Sequence, residues 1–111
     1  MGSIIQKFED LQVWQESMKL AKTIYKEQKN CKDFGLRDQM QRASVSIPSN
    51  ISEGFERGSN KEYIQFLFIA KASSGELRTQ IYLSIDLKIL NEKEGKDLLE
   101  QSRKVSACYS N

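Results

Sequence analysis

Apolar residues recur at spacings of three and four along almost the whole chain, and this period limits the fold more than any other feature. Side chains on a helix repeat every 3.6 residues, so such spacing paints one face of a helix, whereas a strand needs alternation by two. No stretch sustains strand alternation, and none is low-complexity or repeated. No apolar run approaches the ~20 residues that a membrane-spanning helix requires. At 111 residues the chain has room for one core and not for two.

The period breaks three times, which predicts four helices. The first is expected from about Asp10 to about Asn30, with Leu11, Trp14, Met18, Ala21 and Tyr25 on its apolar face and Asp10 as its cap. "NCKDFG" ends it. The second is expected from Leu36 or Arg37, with Leu36, Met40, Ala43, Ile47 and Ile51 inward, stopping at Gly54. The third opens on a capping box, Ser59 with Glu62, and its pattern runs to about Leu90, roughly 45 Å. The fourth opens on Asn91 with Glu94 in the same relation. Leu98, Leu99, Ser102 and Val105 form its stripe, and fraying is expected from Ala107.

Four helices with short connections bury their stripes by packing antiparallel. The fold class is therefore all-α, an up-down-up-down four-helix bundle over residues 10–107. Residues 1–9 and 108–111 are expected as tails, the first three residues reading as an expression remnant. The third helix carries more apolar surface than one bundle face uses. One stripe is Tyr63, Phe66 or Leu67, Ala70, Ser74, Leu77, Ile81 and Ile85. A second is Ile64, Phe68, Gly75, Tyr82 and Ile89. Monomers rarely expose large apolar patches, so the second stripe predicts an interface between copies of the chain. The alternative is a helix buried on two sides of its own bundle.

The residue inventory narrows the chemistry. Histidine is absent, which removes the commonest general base and metal ligand. Cys31 and Cys108 stand alone without a CxxC spacing, which argues against a zinc or iron–sulfur site. With no export signal visible, they are expected as free thiols in the cytoplasm. Ser44, Ser46, Ser49 and Ser52 cluster, but small residues on a helix, next to a proline that frees carbonyls, have a packing explanation. Glu53 and Glu76 are too far apart along antiparallel helices to form a catalytic pair in one bundle. Glu76 is either solvated or a polar contact across a subunit interface. "GFERG" lacks the lysine and the preceding strand of a phosphate loop. No catalytic residue, cofactor or metal is expected.

Charge is suggestive. The formal net charge is +2, and residues 1–42 hold eight Lys/Arg against six Asp/Glu, so the whole excess lies there. Lys19, Lys22, Lys26 and Lys29 fall on one line of the first helix, and Lys32 extends it. Such a row, with Arg37 and Arg42, could track phosphates; a solvated helix face is the alternative. In a ring of copies the row would be multiplied.

The stretch "SIPSNISEGFERGS" holds the only proline. Pro48 removes one N–H and frees the carbonyl of Ser44, so it should bend the second helix rather than end it. Ser44 and its neighbours could absorb that cost. Asn50 and Glu53 follow on the polar side, within reach of Arg57 or of another subunit.

From "QRASVSIPSNISEGFERGSNKEYIQFLFIAKASSGELRTQI" the chain resembles the small four-helix proteins encoded in intervening sequences of bacterial 23S ribosomal RNA genes. The resemblance rests on Arg42, Ala43, Ser46, Ile47, Pro48, Asn50, Ile51, Glu53, Gly54, Arg57, Tyr63, Phe66, Leu67, Ala70 and Glu76. "FEDLQVWQESMKLA", with Leu11 and Trp14, extends it almost to the N-terminus. The resemblance implies a four-helix bundle assembled as a homopentamer, with no enzyme activity. A related branch, the accessory variability proteins of diversity-generating retroelements, implies binding to reverse transcriptase and RNA. The expected function is a non-enzymatic oligomeric scaffold that contacts structured RNA or an RNA-handling protein through the helix-one lysines, Arg37 and Arg42. The alternative is a protein–protein assembly module without nucleic acid. Partners expected are further copies of the chain and RNA or a nucleic-acid-handling protein, with no membrane and no metal.

Overall fold

The computed structural model describes residues 5–109. Residues 1–4, among them the three read as an expression remnant, and residues 110–111 therefore lie outside the described residues. Four helices follow a 3₁₀ turn at Phe8–Asp10: α1 Gln12–Glu27, α2 Phe34–Glu56, α3 Asn60–Asp86 and α4 Glu92–Cys108. No strand is present among the described residues, and no helix among them is long and apolar enough to cross a membrane. Each helix packs on its neighbours in sequence, and α4 closes back onto α1, while the α1 and α3 backbones stand diagonally apart, as do those of α2 and α4. The result is a four-sided bundle, 48 Å long and 23 × 19 Å across. Leu20, Ile24, Met40, Ile47, Ile51, Leu77, Ile81 and Leu98 fill its axis without exposure.

The face that α1 turns inward differs from the expected one. Val13, Ser17, Leu20, Ala21 and Ile24 are buried, whereas Met18 is half-buried and Tyr25 is 48% exposed. Two apolar stripes lie side by side on this helix. Ser17 makes the inward stripe look interrupted, yet its hydroxyl donates to the Trp14 carbonyl at 2.8 Å and so enters the core satisfied. Asp10 is not the cap: it ends the 3₁₀ turn, and Leu11 occupies the cap position without a side-chain bond. The helix stops at Glu27, three residues earlier than expected.

At the start of α2 the cap is Asp33, whose carboxylate accepts from the Leu36 N–H at 3.1 Å. The helix continues unbroken through Pro48 and past Gly54 to Glu56. Gly54 is therefore no helix stop. It is buried, and a Cβ there would lie 2.5 Å from the Phe66 Cβ. Its missing side chain lets α3 cross close to α2. The left-handed residue of the turn is Gly58, at φ 80°.

Ser59 caps α3 by accepting from the Glu62 N–H at 3.2 Å. The reciprocal half of the expected box is replaced: the Glu62 carboxylate takes the Ser59 hydroxyl and pairs with Arg57 at 3.6 Å. The helix ends at Asp86 rather than near Leu90, because Lys88 turns left-handed at φ 60°. The N–H groups of Ile89 and Leu90 then both point back to the Ser84 carbonyl. The Asn91–Glu94 box on α4 forms in full, with bonds of 2.8 and 3.3 Å. The helix reaches Cys108 without the expected fraying, and Tyr109 packs on the core while its hydroxyl meets Ser74 at 3.2 Å.

Candidate interaction surfaces

The motif around Pro48 is a contact between α2 and α3. The Ser46 and Ser73 hydroxyls meet at 2.9 Å, and the Asn50 amide donates to the Ser46 carbonyl at 2.7 Å and its hydroxyl at 3.0 Å. Asn50 thus serves Ser46 rather than Arg57. Glu53 does reach Arg57, at 3.5 Å, and the Arg57 guanidinium lies 5.1 Å from the Phe66 ring centre. The hydroxyl of Ser44 donates to the Gln41 carbonyl, not to its own freed one. Ser52 likewise bonds the Ser49 carbonyl. Three of the four clustered serines are committed to hydrogen bonds, and none of these bonds involves a lysine. Ser73 was missed in the sequence because a serine in a small-residue run carries no signal of its own.

Three of the four lysines of the row lie on α1. At 100° per residue, Lys19, Lys22 and Lys26 fall opposite the buried Leu20 and Ile24; Lys29 lies in the turn beyond the early end of the helix, and all four are exposed. Lys19 pairs with Glu16 at 3.5 Å. Lys32, in the α1–α2 connection, and Arg42, on the outer side of α2, are also exposed. Arg37 is set apart from them: it bonds Asp38 at 3.3 Å and covers the Phe34 ring at 4.7 Å.

Beside that row runs an apolar groove of about 600 Å³ between α1 and α2. Trp14, Met18, Tyr25, Val45 and Pro48 line it, with Lys22 on its lip. Phe8 closes one end by placing its ring edge-on to Trp14 at 5.4 Å. Of the five residues that the sequence assigned to the α1 core, Trp14, Met18 and Tyr25 thus line this groove, with the buried Ala21 at its floor, while Leu11 packs on the core.

Helix α3 presents a second apolar surface with two flanks. Ser73 and Phe66 mark its α2-facing side; Arg78, bonded to Ser106 at 2.8 Å, marks its α4-facing side. On the α4 flank lie Ile64 (51% exposed), Phe68 (66%) and Tyr82 (51%), with Gly75 and Ile89 half-buried between and beyond them. On the α2 flank lie Ile69, Leu83 and Leu87, all exposed, with the exposed Glu76 between Ile69 and Leu83. The expected second stripe is therefore open to solvent within one subunit, and the alternative of a helix buried on two sides does not hold.

Few titratable groups are perturbed. Burial, then the nearby Glu16, raises the Cys108 thiol, so it stays protonated at neutral pH. Burial also raises Tyr63 and Tyr109. Among the described residues no His, Cys, Asp or Glu cluster could hold a metal ion. Glu27 and Glu94 share a hydrogen bond between the end of α1 and the start of α4, which raises Glu27 and lowers Glu94. The raised group contributes stability at low pH that is lost as pH rises through its folded value. The lowered group contributes stability at high pH that is lost as pH falls. The two oppose each other. Glu27→Gln keeps a donor and removes the repulsion. It is expected to raise the melting temperature at pH 7 by the equivalent of a few tenths of a kcal/mol. The gain should fade as the pH falls through the Glu27 value; a calorimetric pH series checks this.

A four-helix bundle with a basic outer row, an aromatic groove and an open apolar helix is the class that fold and surfaces define. The chain belongs to the 23S rRNA-intervening sequence protein family, whose family model matches residues 9–111. Its fold is similar to a crystal structure of a protein of unknown function from the S23 ribosomal protein family of Bacteroides thetaiotaomicron. The TM-score is 0.81 at 24% identity, over 88% of this chain and 95% of that one. No curated protein matches the chain.

Proposed function

We propose that the chain is a non-enzymatic subunit of a cytoplasmic homo-oligomeric scaffold, a pentamer by family resemblance, that engages structured RNA through α1. The observation that carries the assembly is the outer surface of α3, where Phe68 is 66% exposed and five further large apolar side chains are about half exposed. Covering such a surface is the ordinary reason for a soluble helix to carry it. The RNA contact is supported by the exposed Lys19 and Lys26 on the outer face of α1 and the exposed Lys29 in the turn that follows, a row suited to successive phosphates. Commitment of Ser44 and Ser52 to helix carbonyls and of Ser46 to Ser73 supports the non-enzymatic part.

The test pairs light scattering after gel filtration with binding of a fluorescent RNA hairpin across a salt series. The expected results are a discrete oligomer at micromolar concentration and an affinity that falls about 40-fold between 50 and 200 mM salt, as three phosphate contacts from Lys19, Lys26 and Lys29 require. Lys19/Lys26/Lys29→Glu should abolish binding and leave the subunit count unchanged. A monomer would overturn the assembly. An oligomer that ignores RNA, or binds it equally in that variant, would overturn the RNA reading; the first outcome would leave an assembly module without nucleic acid.

A further inference from the structure

We propose that the α1–α2 groove receives the α2 flank of α3 from the next copy of the chain, with Lys22 pairing to Glu76 across the interface. This rests on the assembly part of the function proposed above and names the surfaces that meet.

Three observations carry it. The first is chemical complementarity. Glu76 is the one charge between the apolar Ile69 and Leu83, and Lys22 is the one charge lining the groove. Neither has an ion-pair partner among the described residues. A single opposed charge within an apolar contact fixes register, since any other alignment leaves it unpaired in a dry surface. The α4 flank offers Lys71 instead, of the wrong sign for Lys22.

The second is size. Trp14 to Tyr25 spans about 16 Å of α1, and Ile69 to Leu83 about 21 Å of α3, at 1.5 Å per residue. A groove between two helices is the natural seat for the side-chain ridge of a third.

The third is closure. Helices α1 and α3 occupy opposite corners of the bundle. The groove opens outward on the α1–α2 side, and the Ile69–Glu76–Leu83 flank faces outward on the neighbouring α2–α3 side. Contact between two different faces is head-to-tail, and faces on adjacent sides turn each copy relative to the last, which is the turn that a closed ring needs. Use of the α4 flank, on the side opposite the groove, would stack copies without that turn.

The experiment compares the intact chain with Lys22→Glu, Glu76→Lys and the double exchange, by light scattering over a dilution series, with circular dichroism as the folding control. Both residues are exposed in the subunit, so melting of dilute subunits should not change. Each single exchange is expected to raise the concentration for half-assembly at least 10-fold, and the double exchange to restore it to within about 3-fold, because close charge pairs at interfaces couple strongly. Equal assembly in all four, or losses in the singles that simply accumulate in the double, would overturn the docking while the oligomer stands. A monomeric wild type would overturn the oligomer itself. If Lys22→Glu weakened hairpin binding alone and left the subunit count unchanged, the groove would belong to RNA and the docking would fall.

Discussion

Gly54→Ala is expected to destabilise the bundle by about 2 kcal/mol, although alanine is the better helix former by about 1 kcal/mol. The sign is decided by what the new methyl meets. It would lie 2.5 Å from the Phe66 Cβ, 3.2 Å from its Cγ and 3.4 Å from the Tyr63 Cα. These atoms are fixed to the α3 backbone, so relief requires the helices to separate, and overpacking of that kind costs about 1–3 kcal/mol or more. Gly95 is the internal comparison. A Cβ there crowds the Ile85 Cδ1 and Cγ1 and not its backbone or Cβ, so relief requires turning a stiff β-branched side chain and not separating two helices. Gly95→Ala should therefore destabilise the bundle by less than Gly54→Ala. A companion change sharpens the claim: Phe66→Ala keeps its Cβ and should not rescue Gly54→Ala, whereas Phe66→Gly should recover part of the loss. Urea unfolding of these variants gives the answer, and a Gly54→Ala protein as stable as the parent would refute the close crossing of α2 and α3.

Gly54 also shows what was legible in the sequence. Its presence in the motif is evident, and glycine near a helix end reads locally as a stop. Its function is set by a residue twelve positions away on another helix, which no local pattern contains. The same holds for α1. The choice between Leu11/Trp14/Met18 and Val13/Leu20/Ile24 is a rotation of about 100°, and the polar Ser17 tipped the count toward the wrong stripe. Only packing showed that a serine bonded to its own helix can line a core. By contrast, number and order of helices and the Asn91–Glu94 box follow from spacing alone, because capping and helical phase are local properties. The outer surface of α3 was half legible. The stripe through Phe68 and Tyr82 stood out by its sevenfold spacing, while the stripe through Ile69, Glu76 and Leu83 was masked by its charge. That charge is the one that the docking proposed above sets against Lys22.

Ile69→Asp/Leu83→Asp is expected to leave the subunit folded and to weaken assembly by more than 100-fold. Both side chains are about half exposed in the isolated bundle, so carboxylates there sit in water, and surface changes of this kind alter stability by about 0.5 kcal/mol or less each. At an interface the same change buries an unpaired charge and removes an apolar anchor. Residues of that importance cost at least about 2 kcal/mol each, or roughly 30-fold in the dissociation constant, and neighbouring ones are not additive. The paired control is Phe68→Asp/Tyr82→Asp on the other flank of the same helix, somewhat more exposed and so at least as able to accept charge. If the groove takes the α2 flank, the control pair changes assembly by only a few-fold. If the stripe through Ile64, Phe68, Gly75, Tyr82 and Ile89 is the interface, the ranking reverses and the ring gives way to the opposite-face contact. Sedimentation velocity over a concentration series separates these results, because the subunit count and the melting temperature respond to different sides of the same helix.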